Sequence, residues 1–272
     1  MLIQIKLTRK IISIINQKGG VGKTTTVINL SAVLANKGKK ILVIDLDPQG
    51  NATTGLGKSN NVEGKNIYNL LIGKINLEQA IQKSNIGGLD LISSTVNLSG
   101  LEVETANEPE RAFLLKKILK DDNKILLSKY ENIFIDCPPS LSLLTIMSLV
   151  AADELLVPLQ TEFFALEGIT QLVKTIERIK IKLNPALNIR GILLTMFDKR
   201  NKLSSQVDIE ARSYFKEKVY QTVIPRNVRL SEAPSHGMPC LIYDKNCQGS
   251  KSYYDLADEF LSQQIDKIGS AA

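Results

Sequence analysis

Short runs of consecutive apolar and β-branched residues alternate along this chain with longer segments whose apolar residues recur every three or four positions. The short runs, Ile11–Ile15, Ile41–Asp45, Asn132–Asp136, Glu154–Leu159 and Ile189–Met196, read as strands buried on both faces. The longer periodic segments predict helices at Thr25–Asn36, Arg111–Lys120, Leu141–Ala151, Leu166–Leu183, Leu203–Phe215 and Lys251–Ile265. Strand and helix taking turns in this way predict an α/β fold, a doubly wound, mostly parallel sheet flanked by helices, with ligands at the C-terminal ends of the strands. Residues 11–265 read as a single domain, preceded by an N-terminal extension (1–10) and followed by a short tail (266–272). Two stretches break the rhythm. Asp47–Lys65, rich in Gly, Asn, Thr and Ser, is expected to be a mobile loop, and Pro225–Pro239 has no clean period.

Length and composition narrow the picture only a little. A chain of 272 residues can bury a large core. No apolar run is long enough to span a bilayer, and Met1–Lys10 alternates apolar and polar residues without the continuous stretch of a secretory signal, so it reads as an extra strand or a loose arm. Cys137, Cys240 and Cys247 form no C-x-x-C pair and His236 is the only histidine, which argues against a zinc or iron–sulfur site within one chain and fits a reducing cytoplasm. Charge is more informative. The chain carries a net +6, and the window Lys174–Lys202 holds eight basic and two acidic residues, an excess as large as that of the whole chain. Such bias suggests an anionic partner; a solvated helix face is the plainer alternative.

The most specific signal is Lys18-Gly19-Gly20-Val21-Gly22-Lys23-Thr24-Thr25, set between the first strand and the first helix. In that context it reads as a phosphate-binding loop whose backbone N–H groups converge on phosphate oxygens at a helix N-terminus. Lys23 would reach the β- and γ-phosphates and the Thr24 hydroxyl would ligate Mg²⁺. The common pattern wants glycine at position 17, where this chain has Gln17, and a second cation, Lys18, stands five residues before Lys23.

Two strands end in carboxylates. Asp45 and Asp47 lie one residue apart after Ile41–Asp45 and can face the metal and the water; as a plainer role, either caps the following turn. Asp136 ends Asn132–Asp136 and suits a ligand that holds Mg²⁺ through water. The Pro138-Pro139 pair after it stiffens a turn of the kind a switch uses. With no histidine near it in sequence, Cys137 reads as a packing residue.

Lys-Gly-Gly-Val-Gly-Lys-Thr-Thr resembles the deviant Walker A motif of the ParA/MinD family of dimerising ATPases. Asp45-Leu46-Asp47-Pro48-Gln49, Ile135-Asp136-Cys137-Pro138-Pro139-Ser140, Phe163–Gly168 and Ile224–Gly237 are similar to further segments of that family, the last to its chromosomal ParA/Soj branch. The resemblance runs from Ile11 to about Phe260. It implies ATP and Mg²⁺ as ligands, Lys18 reaching across a sandwich homodimer as a counterpart of an arginine finger, Asp47 orienting the attacking water, and Asp45 supporting the Mg²⁺ site through water. It also implies base contacts from Pro225 and Asn227, with Arg226 stacking. DNA contacts fall to Arg200 and Arg229, with Lys199 and Lys202 adding phosphate contacts; surface ion pairs are the plainer role of these arginines. The function so implied is an ATP-dependent DNA-partitioning ATPase with a slow intrinsic rate. It binds nonspecific double-stranded DNA as a dimer, is nucleoid-associated when ATP-bound, and is released when a ParB/Spo0J-type centromere-binding protein stimulates hydrolysis. A MinD-like membrane-cycling ATPase is the alternative, but it needs a basic amphipathic C-terminal helix, and Lys251–Ile265 carries Asp255, Asp258 and Glu259. Reductase and amidase relatives with the same loop are disfavoured by the cysteine positions and by chain length, and a DNA-binding module without catalysis leaves both loop lysines unexplained.

Overall fold

The computed structural model describes residues 9–59 and 64–269. Most of the expected N-terminal extension, four residues of Asp47–Lys65 and the end of the tail lie outside the described residues. Within them, seven strands form one sheet: β1 (Lys10–Ile14), β2 (Ile41–Asp45), β3 (Gln82–Lys83), β4 (Leu89–Ile92), β5 (Asn132–Asp136), β6 (Glu154–Gln160) and β7 (Asn188–Thr195). Their order is β3-β4-β2-β5-β1-β6-β7, and every pairing is parallel except β3 with β4.

Alternation along each strand divides the core between two faces. Ile12 and Ile14 of β1, with Ile41 and Val43 of β2 and Phe134 of β5, meet Val27, Leu30 and Leu34 of the helix Lys23–Asn36 and Leu256, Ala257 and Phe260 of the C-terminal helix Gln248–Gly269. Ile11, Leu42, Ile44, Ile133 and Ile135 face the other way, against Leu143, Leu144 and Met147 of Leu143–Ala151. Beyond them, Leu155, Val157, Ile192 and Leu194 pack on Ile169, Leu172 and Ile176 of Ala165–Lys182. Both faces are covered, as near-continuous apolar strands require.

Register places the chemistry. Asp45 pairs with Asp136, and Asp136 with Ile14, so two strand-ending carboxylates and the loop leaving β1 share one edge of the sheet. The chain leaves β1 for β2 on one side and β5 for β6 on the other, which makes this edge the switch point where ligands of open α/β sheets bind.

Several expectations need correction. β4 was not expected: it is four residues long and contains Asp90, whose buried carboxylate accepts hydrogen bonds from the Tyr130 hydroxyl (2.6 Å) and Lys83 Nζ (3.1 Å). The helix expected at Arg111–Lys120 is broken into a 3₁₀ turn (Arg111–Phe113), one α turn (Leu114–Lys116) and a π segment (Lys117–Asp122). There Asn123 Nδ2 and Arg9 Nη2 bind the carbonyls of Ile118 and Leu119. Asn51–Gly55 is helical within the expected loop, and Val228–Glu232 and Ala233–His236 are short helices within Pro225–Pro239. Elements of four or five residues are too short to show a period.

Arg190 belongs to the core rather than to a basic surface. Its guanidinium, 1% exposed, pairs with Glu154 (2.5 Å), donates to the Phe260 carbonyl (2.6 Å) and lies 3.8 Å from the centre of the Phe260 ring. Arg190→Ala leaves Glu154 buried without this partner and should cost about 3–5 kcal/mol in urea unfolding, whereas a surface role predicts no measurable loss.

Candidate nucleotide site and basic face

The loop after β1 is held from outside. Asn16 Nδ2 donates to the Pro158 carbonyl (2.8 Å), while Asn16 Oδ1 accepts from Lys18 N (3.0 Å) and so fixes the start of the loop. Gly20 and Gly22 have φ of 74° and 89°, left-handed values that a side chain at either position would strain against. Gly22 is the N-cap of Lys23–Asn36 and makes no side-chain cap, so the first N–H groups of this helix are offered to a ligand. Gly19 and Gly20 are exposed, Val21 is buried, and Thr24 and Thr25 are partly exposed at the helix start.

Lys23 is 6% exposed, and its Nζ donates to the Lys18 carbonyl (3.0 Å). Burial lowers its pKa, an effect opposed by the nearby Asp136, Cys137 and Asp47. Lys18 is half exposed and forms an ion pair with Glu162, a residue the sequence did not single out.

The carboxylates differ in their partners. Asp45 Oδ2 accepts from both the amide and the hydroxyl of Thr53 (2.7 Å each), and Oδ1 accepts from Asp47 N (3.2 Å). Burial nevertheless raises its pKa to about 6. These bonds give Asp45 the turn-capping role set beside metal support above. Asp47 is 6% exposed, and its Oδ1 accepts from Gln49 N (2.9 Å). Asp136 stands apart: it is fully buried and neither oxygen has a hydrogen bond of good geometry, although the Thr24 hydroxyl lies near. Burial raises its pKa well above the usual range, the charge of Asp45 adds to the rise, and the nearby Thr24 hydroxyl and Lys23 oppose it. A buried carboxylate with so little hydrogen bonding, beside a helix-start hydroxyl, fits a hydrated divalent cation. Cys137 is inert by comparison, its thiol pushed up to about 12 by burial and bonded among Ser13 and Ser148.

A cavity of about 290 Å³ opens beside the loop, lined by Gly22, Thr25, Thr195, Pro225, Asn227 and Tyr253 among others. It brings the candidate base contacts Pro225, Arg226 and Asn227 to the phosphate loop. Asn227 also caps Val228–Glu232, accepting from Arg229 N (3.0 Å). The segment is tied to the end of β7, because Phe197 N donates to the Ile224 carbonyl (3.0 Å) and Arg226 N to the Phe197 carbonyl (3.1 Å).

The candidate DNA contacts sit on these two joined segments without forming one pocket. Lys199, Arg200 and Arg226 line a second cleft of about 650 Å³ together with Asp198 and Asp255. Arg200 is 90% exposed and bonds both oxygens of Asp198 (3.1 and 3.0 Å), which hold the Asp198 carboxyl down to about 2. Arg229 is outside this cleft, paired with Glu232 (2.8 Å) and Asp244 (3.6 Å). Lys202 is exposed at the start of Lys202–Phe215. His236 stacks on Tyr243 in the nearby loop.

The buried Asp136 charge gives a prediction. Its raised pKa means that ionisation opposes folding: the cost is complete above the folded-state pKa and disappears as the pH falls from there to the ordinary carboxylate value. Asp136→Asn removes the cost, so without magnesium at pH 7 the variant should melt several degrees higher than wild type, about 1–3 kcal/mol. It should also lose any stabilisation by magnesium, as read by thermal denaturation with and without the ion.

The chain matches known proteins along most of its length. The family described as AAA domain fits residues 9–189. A chromosome partitioning protein ParA from Caulobacter vibrioides is 48% identical over 263 residues, 97% of this chain and 98% of that protein. The sporulation initiation inhibitor protein Soj of Bacillus subtilis is 48% identical over 250 residues, 92% of this chain and 97% of that protein. Among solved structures, cobyrinic acid a,c-diamide synthase from Mycobacterium smegmatis with bound ADP and magnesium superposes with a TM-score of 0.81 at 31% identity, covering 93% of this chain and 94% of that one. Chain length therefore does not separate this chain from a protein named a diamide synthase; the higher identity to ParA and Soj does. With a P-loop at the switch point and this likeness over nearly its full length, the chain belongs to the ParA/Soj family of chromosome-partitioning ATPases.

Proposed function

We propose that this chain hydrolyses ATP with Mg²⁺ as a homodimer whose assembled face holds nonspecific double-stranded DNA, and that a ParB-type partner releases it by stimulating hydrolysis. The observation that carries the reading is the buried, under-bonded Asp136 carboxylate beside Lys23 and Thr24. Such a cluster suits a metal–triphosphate better than it suits an empty fold.

Each residue then has a task. The loop amides and Lys23 bind phosphate oxygens, and for this Lys23 gives up the Lys18 carbonyl. Thr24 and Asp136, through water, would hold Mg²⁺, which when bound neutralises charge on the β- and γ-phosphates. Asp47 orients the attacking water, while Asp45 stiffens the turn that carries Asp47. Pro225 and Asn227 meet the base, and Arg226 stacks beside it. Lys18 leaves Glu162 to reach the partner's nucleotide, so a lone protomer holds an incomplete site. Arg200, Arg229, Lys199 and Lys202 contact DNA phosphates, with binding that weakens steeply with salt and depends little on sequence.

Membrane cycling is less well supported. Among the described residues no helix is long and apolar enough to cross a membrane. Within Gln248–Gly269, Tyr253, Leu256 and Phe260 are packed in the core and not free for lipid, while Asp258 pairs with Lys37 (2.7 Å).

DNA binding measured with ADP, ATP and a nonhydrolysable analogue tests the reading. Retention with ATP and the analogue but not with ADP is expected; equal binding in all three, or transfer to anionic vesicles instead, would overturn it. Arg200→Glu and Arg229→Glu should each weaken DNA binding at least about tenfold at moderate salt while ATP-dependent dimerisation persists. Asp47→Ala should trap an ATP-bound dimer on DNA with turnover reduced about 100-fold or more, as read by phosphate release.

A further inference from the structure

Thr195 is the last residue of β7, 2% exposed, and the sequence reading gave it no role. Its Oγ1 donates to the Val21 carbonyl (2.8 Å), a contact that spans 174 positions of chain and ends inside the phosphate loop. Its methyl group packs near Gly22, where an added Cβ would stand 3.7 Å from it. Thr195 also lines the cavity shared by Pro225 and Asn227.

We propose that Thr195 is a positioning residue for the phosphate loop, setting the orientation of the Val21–Gly22 peptide and with it the nucleotide affinity. The carbonyl and N–H of a trans peptide point in opposite directions. Holding the Val21 carbonyl toward β7 therefore turns the Gly22 N–H away from β7. Gly22, at φ 89°, has no side chain of its own to restrict that rotation. Thr195 is well placed to impose it, because its own backbone is fixed. It pairs with Gln160 in the β6–β7 ladder, and its carbonyl accepts from Thr161 N (3.3 Å). The next residue, Met196, is held at φ 51°, a left-handed value unusual for a residue with a side chain. Phe197 then pairs with Pro225. One short segment thus anchors the phosphate loop through Thr195 and the candidate base contacts through Phe197.

This inference rests on the nucleotide reading above. A loop amide that binds phosphate in ground state and transition state alike affects KM more than kcat. Thr195→Val keeps the shape and deletes the donor; Thr195→Ser keeps the donor. Affinities for fluorescent ADP and ATP, KM and kcat should be measured for wild type and both variants. The expected result is a loss of affinity and a rise in KM of about tenfold for T195V, kcat at saturating ATP within about twofold, and T195S near wild type. Unchanged affinity in T195V, a loss in kcat with KM unchanged, or no rescue by T195S would overturn the inference. If T195V does not fold, Thr195→Ala carries the same comparison with T195S. Wild-type protein that binds no nucleotide would sink the nucleotide reading and this inference together, whereas wild-type binding matched by T195V sinks the inference alone.

Discussion

Two carboxylates held out of water at adjoining strand ends, one of them without a hydrogen bond of good geometry, set the terms for everything else in this site. Parallel register puts Asp45 and Asp136 side by side, and the sheet excludes solvent from both. Thr53 and the Asp47 amide satisfy Asp45. Nothing comparable satisfies Asp136, so its ionised form carries a desolvation cost that a nearby ammonium, Lys23, only partly offsets. Natural proteins keep such groups where a ligand relieves the cost.

A similar incompleteness marks the cations. Lys18, Arg200 and Arg229 all have intramolecular acidic partners in the protomer, at side chains from half to nine-tenths exposed. Exposed pairs of this kind contribute little to stability, about 0–1 kcal/mol each, so they can be exchanged for phosphate at small cost. Arg190 makes the contrast clear: a buried guanidinium with a buried carboxylate is part of the fold and is not exchangeable. The protomer therefore keeps its structural charges inside and its exchangeable charges at the phosphate loop and on the candidate DNA contacts.

Much of this was legible in the sequence, because the signals are contiguous. The glycine loop lies between an apolar strand and a helix, and Asp45 and Asp136 each end an apolar run, so motif and context agree without knowledge of the fold. Three kinds of feature were not legible. Counting charge by residue type placed Arg190 with the surface cations, since burial by Phe260 and Glu154 comes from distant segments. Contacts made across the chain were equally hidden: Glu162 on Lys18, Thr53 on Asp45 and Thr195 on Val21 involve residues whose types are ordinary and whose roles come only from tertiary placement. Short elements failed for a different reason, as Leu89–Ile92 and Val228–Glu232 are too brief for a period to emerge.

The central claim is that one protomer holds an unfinished site, completed when a nucleotide triphosphate is shared between two copies. Sedimentation velocity with ATP and magnesium, beside ADP and magnesium, measures this directly. A dimer with ATP and a monomer with ADP is the predicted result; a monomer at saturating ATP and magnesium would contradict the account.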